Sequence, residues 1–581
     1  MQWLRLLVGL SVLAVGPVAV RVEASEAQRC VVCHRYADAE EADGADRVVR
    51  RYHVSETDRD ATASPHSRLS CTDCHDEEEV GVVPHSAVSF VDCSRTCHLT
   101  EADGSMTITS HQPAKQMLRA SVHSQGVLDA SNALLGRPLR AGQSRCLLCH
   151  DEGTIRRAGD EPGRSNRDAA RLCATCHHDR AVRSEYELPD AIASYLASFH
   201  GKAMLLGNRR TAGCLDCHAR HGRDVHLILS HGNRLSWTHP GNLAGTCRSP
   251  QCHPSAGERI SSAAVHLDLS TSLGVEFLVA VLFVVLIVTT FGPSIVLTAL
   301  EMFHIVVGRE SVDHRRHRRL AERLAADPVG RVRLKRFTVH QRVQHWLLAV
   351  CFVVLVITGF PMKFADRAWS AWVIEHLGGL DRARLIHHGA GLVLILGFLY
   401  HVMYLRWIIR RRQRATGQEW LDIALDQPMV MNRADWRHLR ELLSYLLFLR
   451  RTRPKGGRFS VEEKFEYFGV FWGVTLLGLT GLVMWGNAVV TQHLPGRVLT
   501  IASLIHSFEA FLALLHVGVV HMVTVIFSPS VFPISRAMFT GDTPVEELAE
   551  GHAGMLETVA REIEADSADE DCDKREACES T

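Results

Sequence analysis

"LIHHGAGLVLILGFLYHVMYL", residues 385–405, is an apolar run long enough to cross a bilayer as a helix, yet it carries His387, His388 and His401. Histidine in hydrocarbon is costly, so it marks function there. A second run, "IHSFEAFLALLHVGVVHMVTVIF" at 505–527, repeats the pattern with His506 and His521. The spacings are 14 and 15 residues. On an α-helix each pair is then separated by about 21 Å and stays within about 60° of one face. His388 to His401 turns about 140° away and fits less well. Two such helices side by side offer imidazole pairs at two depths, as clamping two b haems requires. The spacing predicts His387 with His506 near one membrane surface and His401 with His521 near the other.

Working outward, apolar segments lie at 275–300, 343–360, 384–406, 466–487 and 503–527, each near the length of a transmembrane helix. The loops 308–342 and 406–463 carry 11 and 13 Lys plus Arg, against three in 361–383 and one in 488–503. By the positive-inside rule the two basic loops are cytoplasmic, so the residues before the first span lie outside. The acidic tail from 536 lacks periodicity and is expected to be solvated, with Cys572 and Cys578 as reduced thiols. At the other end, "MQWLRLLVGLSVLAVGPVAVRVEAS" has the basic start, short apolar core and small-residue cleavage site of a signal peptide, expected at 1–24.

Fourteen of the 17 cysteines precede the first span, and they are not scattered. Cys-x-x-Cys-His occurs at Cys30/Cys33/His34, Cys71/Cys74/His75, Cys146/Cys149/His150, Cys173/Cys176/His177 and Cys214/Cys217/His218. Cys93/Cys97/His98 has a three-residue gap and Cys247/Cys252/His253 a four-residue gap. The pattern has a chemical reason: two thiols bond the two vinyl groups of one haem, and the next residue supplies the proximal imidazole. Extra residues between the thiols can loop out, so seven haem c are expected. Zinc would need Cys pairs converging on one ion and gives no reason for a following His. A disulfide framework fails for the same reason.

Residues 25–272 hold 19 His and only three Met, leaving twelve His beyond the seven proximal ones, so bis-His ligation is expected. His66, His123 and His200, each upstream of a motif, are the leading distal candidates. His221, His85 and His266 follow, His266 standing just before the first span, with His111, His226, His231 and His239 weaker. Zero net charge at 46% hydrophobic content excludes a disordered chain and a nucleic-acid binder.

The b segment also resembles a known family. "RFTVHQRVQHWLLAVCFVVLVITGF" at 336–360, with Arg-x-x-His-Trp at 342–346, "KFEYFGVFWGVTLLGLTGLVMW" at 464–485 and the His506/His521 helix are similar to the cytochrome b subunits of respiratory formate dehydrogenases and nickel-iron hydrogenases. The likeness covers roughly 335–535. The whole chain resembles inner-membrane quinone oxidoreductases of metal-reducing bacteria, which fuse a multihaem c domain to such a cytochrome b. In the formate dehydrogenase relatives the inner b haem takes its ligand from the position of His345, and no His stands where His401 does. The spacing argument instead assigns His401 and frees His345, beside Arg336 and Arg342, to bond a quinone carbonyl and accept its proton. Glu509, three residues after His506, is expected to take or relay a quinol proton.

The expected fold is mainly α: a loop-rich heptahaem c domain at 25–272, a first span at 273–307, a basic cytoplasmic linker at 308–340, a dihaem four-helix domain at 341–535 and an acidic cytoplasmic tail at 536–581. The expected function is a menaquinol dehydrogenase of the bacterial inner membrane, drawing on the quinone pool and passing electrons through two b haems and seven c haems to a periplasmic or outer-membrane c-type cytochrome. The alternatives are a quinone reductase running the other way, a membrane anchor and relay for a separate catalytic subunit, and a terminal reductase.

Overall fold

Apart from two short hairpins, the regular structure described in the computed structural model is helical. It covers residues 106–136, 145–149, 162–219, 225–267, 274–307, 314–527 and 534–579, the strand segments 40–43, 47–50 and 96–100, and the isolated residues 72, 75 and 78. The hairpins pair β1 (Glu40–Asp43) with β2 (Arg47–Arg50) and β3 (Thr96–Thr100) with β4 (Met106–Ser110). The expected signal peptide lies outside the described residues.

The chain divides into two compact units, residues 1–188 with 218–230, and residues 189–217 with 231–581. In the first, α1 (Gln112–Ala120), α2 (Gln125–Leu134), α3 (Pro162–His177) and α4 (Arg180–Glu185) are short. The apolar core of this unit is small: Ala170, Val182 and Ala219 are its buried members among the described residues. Polar ties do much of the fastening, such as Arg145 with Asp129 at 2.7 Å and Ser121 Oγ with the Ile228 carbonyl at 3.0 Å.

The second unit begins with α5 (Ala191–Ala197), α6 (Phe199–Leu205) and α7 (Pro240–Cys247), which pack with the apolar helices that follow. Five helices are long and apolar enough to cross a membrane, as the hydropathy pattern predicts. They are α8 (Val275–Val306), α11 (Val339–Lys363), α13 (Leu380–Thr416), α15 (Val461–Trp485) and α17 (Arg497–Leu515), the last continuing through Phe527. Between and after them lie α9 (His314–Ala326), α10 (Pro328–Arg333), α12 (Ala368–His376), α14 (Arg433–Leu446), α16 (Asn487–His493), α18 (Val545–Gly551) and α19 (Ala553–Glu579).

The bundle starts are fixed by local chemistry. Thr338 with Gln341 and Ser460 with Glu463 form capping boxes that satisfy the first free N–H groups of α11 and α15. Between α12 and α13, Gly378 and Gly379 take φ of 83° and 96°, a left-handed reversal that suits glycine. α11 packs along α13 and α15 along α17, closing a four-helix bundle, while α8 lies outside it against α17, where Phe283 stacks on Phe508 at 5.9 Å. Large apolar side chains remain exposed along the perimeter, Leu278 and Val288 among them, as lipid-facing helices require.

At one end of the bundle α6 is keyed in by Ala203 and Leu206, which share a core with Ala365, Ile374, Leu380 and Ala383. Nearby, Gly257 N–H donates to Thr491 Oγ1, and a Cβ on Gly257 would stand 2.2 Å from the Thr491 carbonyl. Residues 189–217 and 231–267 therefore belong structurally with the spans.

The opposite end corrects an expectation. The acidic tail is not a solvated strand: α18 and α19 close on α9 and α10 around Leu548, Leu556, Ala321 and Leu324, the first three fully buried. Below that core Arg336, 3% exposed, grips Glu463 through two bonds of 2.6 and 2.8 Å. Leu548 and Leu556 stand singly among acidic residues in the sequence, and their partners lie more than 200 residues away. Leu556→Ala is expected to cost this cap about 2–5 kcal/mol. Limited trypsin digestion checks it: cleavage at Arg561 should speed up while the spans stay protected.

Candidate functional site

Within the bundle, four histidines meet in two pairs. His387 on α13 and His506 on α17 have ring centroids 6.3 Å apart at 63°. Two imidazoles bound through Nε2 to one metal, at the ~2.0–2.1 Å of metal–imidazole bonds, would put their centroids at nearly this separation. Their tautomers follow from two threonines. Thr358 donates its hydroxyl to Val354 O at 2.7 Å, so toward His387 Nδ1, 2.9 Å away, it can only accept. Thr480 likewise donates to Leu476 O at 2.6 Å and accepts from His506 Nδ1 at 3.1 Å. Both rings therefore carry the proton on Nδ1 and a lone pair on Nε2, the form that binds metal. Each threonine precedes a glycine whose Cβ would press on the ring: 3.0 Å from His387 Cε1 at Gly359, 3.4 Å from His506 Cε1 at Gly481.

The second pair differs from the expectation. His521 faces His345 of α11, with centroids 6.5 Å apart at 49°, rather than His401. His401 has both ring nitrogens engaged elsewhere, Nδ1 with Gln344 Oε1 at 2.6 Å and Nε2 with the Tyr467 hydroxyl at 2.7 Å. Those partners explain a buried histidine that spacing alone assigned to iron. The helix also departs from α geometry: His516–His521 and Val523–Phe527 form π turns, so a rotation of 100° per residue does not hold up to His521. Glu466 Oε2 holds His521 Nδ1 at 2.8 Å, while His345 Nδ1 is buried without a partner. His345 thus stands opposite His521, where the spacing argument had placed His401, rather than apart from the pairs as expected. Glu509 is 3% exposed beside Trp472, with Oε2 unpartnered and Oε1 crowding Gly473.

Before the spans the same geometry recurs. His200 on α6 faces His253, centroids 6.1 Å apart at 50°, in the unit that contains the bundle. His123 faces His177 at 6.0 Å and 80° in the other unit. Burial holds all four imidazoles below their ordinary pKa, hence neutral and able to ligate. Cys217 lies close to Cys247 and Cys252, and burial pushes its thiol up to about 12. The irregular motif loops back on itself: α7 ends at Cys247, and His253 N–H donates to Cys247 O at 3.1 Å. The four intervening residues are looped out and the histidine returns to its first cysteine.

Two strict motifs are helical throughout. Cys173, Cys176 and His177 fall in the last turns of α3, and burial, with Cys176 nearby, raises the thiol pKa of Cys149 in the preceding motif. A Cys-x-x-Cys pair three positions apart on a helix puts both thiols on one face. Cys214, Cys217 and His218 form a single helical turn, Cys214–His218. The division between the two units falls inside this motif: Cys217 belongs to the unit that holds the bundle, His218 to the other. His75 is described as a half-buried position, while Cys71 and Cys74 of its motif are not described.

Ser194 Oγ donates to Asp190 O at 2.8 Å and accepts from His266 Nδ1 at 3.0 Å. His239 instead spends Nδ1 as an N-cap, accepting from Gly241 N–H. Among the described residues no three His, Cys, Asp or Glu converge on one metal position. Cys176, His75 and His218 accordingly stand in no such cluster, and their expected places at a haem remain expectations from the motif. Cys30, Cys33, His34, His66, Cys71, Cys74, His85, Cys93, His150 and His221 lie outside the described residues. Cys97 and His98 are described as backbone of β3.

Sequence reasoning missed Thr358, Thr480, Glu466, Gln344 and Tyr467. A signal existed for the first two: Thr-Gly occurs at 358–359 and 480–481, on the partner helices of the two histidine-bearing spans. The others carried none.

Residues 336–541 match the family described as prokaryotic cytochrome b561. The formate dehydrogenase cytochrome b556 subunit of Haemophilus influenzae is 25% identical over 180 residues, 31% of this chain and 66% of that protein. Two Escherichia coli proteins follow: the formate dehydrogenase cytochrome b556(fdo) subunit, 23% identical over 32% of this chain and 76% of its own, and the nitrate-inducible cytochrome b556(Fdn) subunit, 20% identical over 31% and 72%. The chain thus spans about two thirds to three quarters of these relatives, and they span its membrane segment alone. That segment is a membrane-embedded b-type cytochrome domain of electron transfer.

Proposed function

From that domain and the histidine pairs within it and before it, we propose that the protein is a quinol dehydrogenase of the bacterial inner membrane. It takes electrons from menaquinol and hands them, by way of the cysteine-histidine segments outside, to a periplasmic or outer-membrane c-type cytochrome. The observation that carries this reading is the continuity of paired histidines in one packed unit. His345/His521 lie at the basic end of the bundle, His387/His506 at the other, and His200/His253 beyond them. α6, which bears His200, is keyed against Ala383, and His387 follows one turn later on α13.

The site residues fit haem: paired Nε2 lone pairs at a bis-imidazole separation, with glycines clearing the ring edges. His387/His506 and His345/His521 would each hold one haem b. The seven Cys-His motifs would hold haem c, with Cys176 as a thioether, His75 and His218 as proximal ligands, and His200 with His253 and His123 with His177 as axial pairs. Bound haem supplies one-electron transfer between a two-electron quinol and one-electron carriers. The basic loops support a cytoplasmic position for the His345/His521 end.

With His345 occupied, proton acceptance passes to its neighbours. Gln344 Oε1 only accepts, so His401 Nδ1 carries a proton and Nε2 accepts the Tyr467 O–H. A quinol hydroxyl donating to the Tyr467 oxygen can give up its proton as Tyr467 passes its own to His401. Gln344 adjoins His345, and Tyr467 adjoins Glu466, so this dyad borders the inner pair. Glu509, one turn from His506, borders the outer pair and stands apart from this dyad.

Stopped-flow mixing of the detergent-purified holoprotein with a menaquinol analogue tests the function. The b absorption band should reduce first and the c bands after it. Reduction of every haem by dithionite, with none by the quinol, would rule it out.

A further inference from the structure

The two bundle pairs differ in what holds their Nδ1 protons. At the outer pair both Nδ1–H groups meet threonine hydroxyls, neutral groups whose own hydrogens are committed to Val354 O and Leu476 O. At the inner pair His521 Nδ1 meets the Glu466 carboxylate at 2.8 Å, and His345 Nδ1 meets nothing. Glu466 is largely withdrawn from solvent, its side chain 19% exposed. Arg336, the cation bound at the first turn of α15, does not neutralise it, being already committed to Glu463 and Glu547.

A carboxylate bonded to Nδ1–H draws that proton toward itself and makes Nε2 a more basic ligand. It also sets one negative charge a single imidazole away from the iron, in surroundings of low dielectric where charge acts over several ångströms. Both effects favour the more positive, oxidised metal. A threonine that can only accept has no net charge and polarises the ring far less.

We propose that Glu466 is a positioning and tuning residue that lowers the potential of the inner b haem below that of the outer one. The inference rests on the proposed assignment of His345/His521 and His387/His506 as haem ligands. Its consequence is direction. Menaquinol gives up two electrons and two protons at the cytoplasmic end, and each electron then runs downhill from the carboxylate-backed pair to the hydroxyl-backed pair and on toward His200/His253. The reverse reaction, quinone reduction from a periplasmic donor, would run uphill across the bundle.

Optical redox titration of the full-length holoprotein, following the b band, tests this without relying on turnover. The wild type should contain two b haems that titrate as two separated components. Glu466→Gln keeps a hydrogen-bond acceptor and removes the charge, so the lower component should shift upward toward the other. The higher one should stay in place, and both should keep the spectrum of bis-histidine low-spin haem. Glu466→Asp should restore part of the separation. Two components of equal potential in the wild type, no shift in Glu466→Gln, or a shift of the higher component would each overturn the proposal. If Glu466→Gln fails to load haem, the wild-type separation and the Glu466→Asp titration still decide it. Fewer than two b haems in the wild type would instead overturn the ligand assignment beneath it.

Discussion

His345→Ala should lose one of two b haems, and His401→Ala should keep both. Pyridine haemochrome analysis after acid-acetone extraction gives the number directly. The contrast is large because a low-spin haem clamped by two helices loses one of its two axial bonds when His345 is removed, whereas His401 spends both nitrogens on Gln344 and Tyr467. Function should divide differently. His401→Ala and Tyr467→Phe remove the acceptor or the hydroxyl of the proton dyad. Quinol-driven reduction should fall by about 10²–10⁴-fold, the usual contribution of a positioned acid or base, while dithionite reduces both b haems as before. Loss of a haem in His401→Ala, with two retained in His345→Ala, would return the iron to His401.

Mass spectrometry of the isolated chain should show seven covalent haem additions and loss of residues 1–24. The decisive one is at Cys247/Cys252/His253. Its two thioethers must span four residues rather than two, and the hydrogen bond from His253 N–H to Cys247 O shows how the excess is absorbed. Cys247→Ala with Cys252→Ala should give six additions. His200→Ala should keep seven but convert one c haem from six- to five-coordinate, seen as a high-spin signal absent from the wild type. Because His200/His253 is the pair nearest the spans, each change should leave quinol reduction of the b haems intact and slow reduction of the c haems. Six additions in the unaltered protein, with both thiols open to alkylation, would take this site out of the path.

The sequence alone determined what depends on local chemistry repeated along the chain. A run of some twenty apolar residues has no alternative in a bilayer to a helix that satisfies its own backbone, so the five spans were legible from hydropathy. The Cys-His motifs were legible as a repeat, and the haem attachment proposed for them needs two thiols and an imidazole within a few residues. Histidines in apolar runs were legible as functional through their cost, though not as to which would meet. His387 and His506 come together as a regular helix predicts. Past Leu515 the chain widens into π turns, so residue spacing ceases to report rotation, and His521 turns to α11 instead of α13. The tail shows the same limit: Leu548 and Leu556 were isolated apolar residues in an acidic stretch until α9 and α10, over 200 residues earlier, covered them. Only tertiary structure could choose between His345 and His401, for the choice rests on Gln344, Tyr467 and Glu466 arriving from separate helices. A buried imidazole takes its role from the partners on its two nitrogens, and spacing along a single helix carries no information about side chains brought by another.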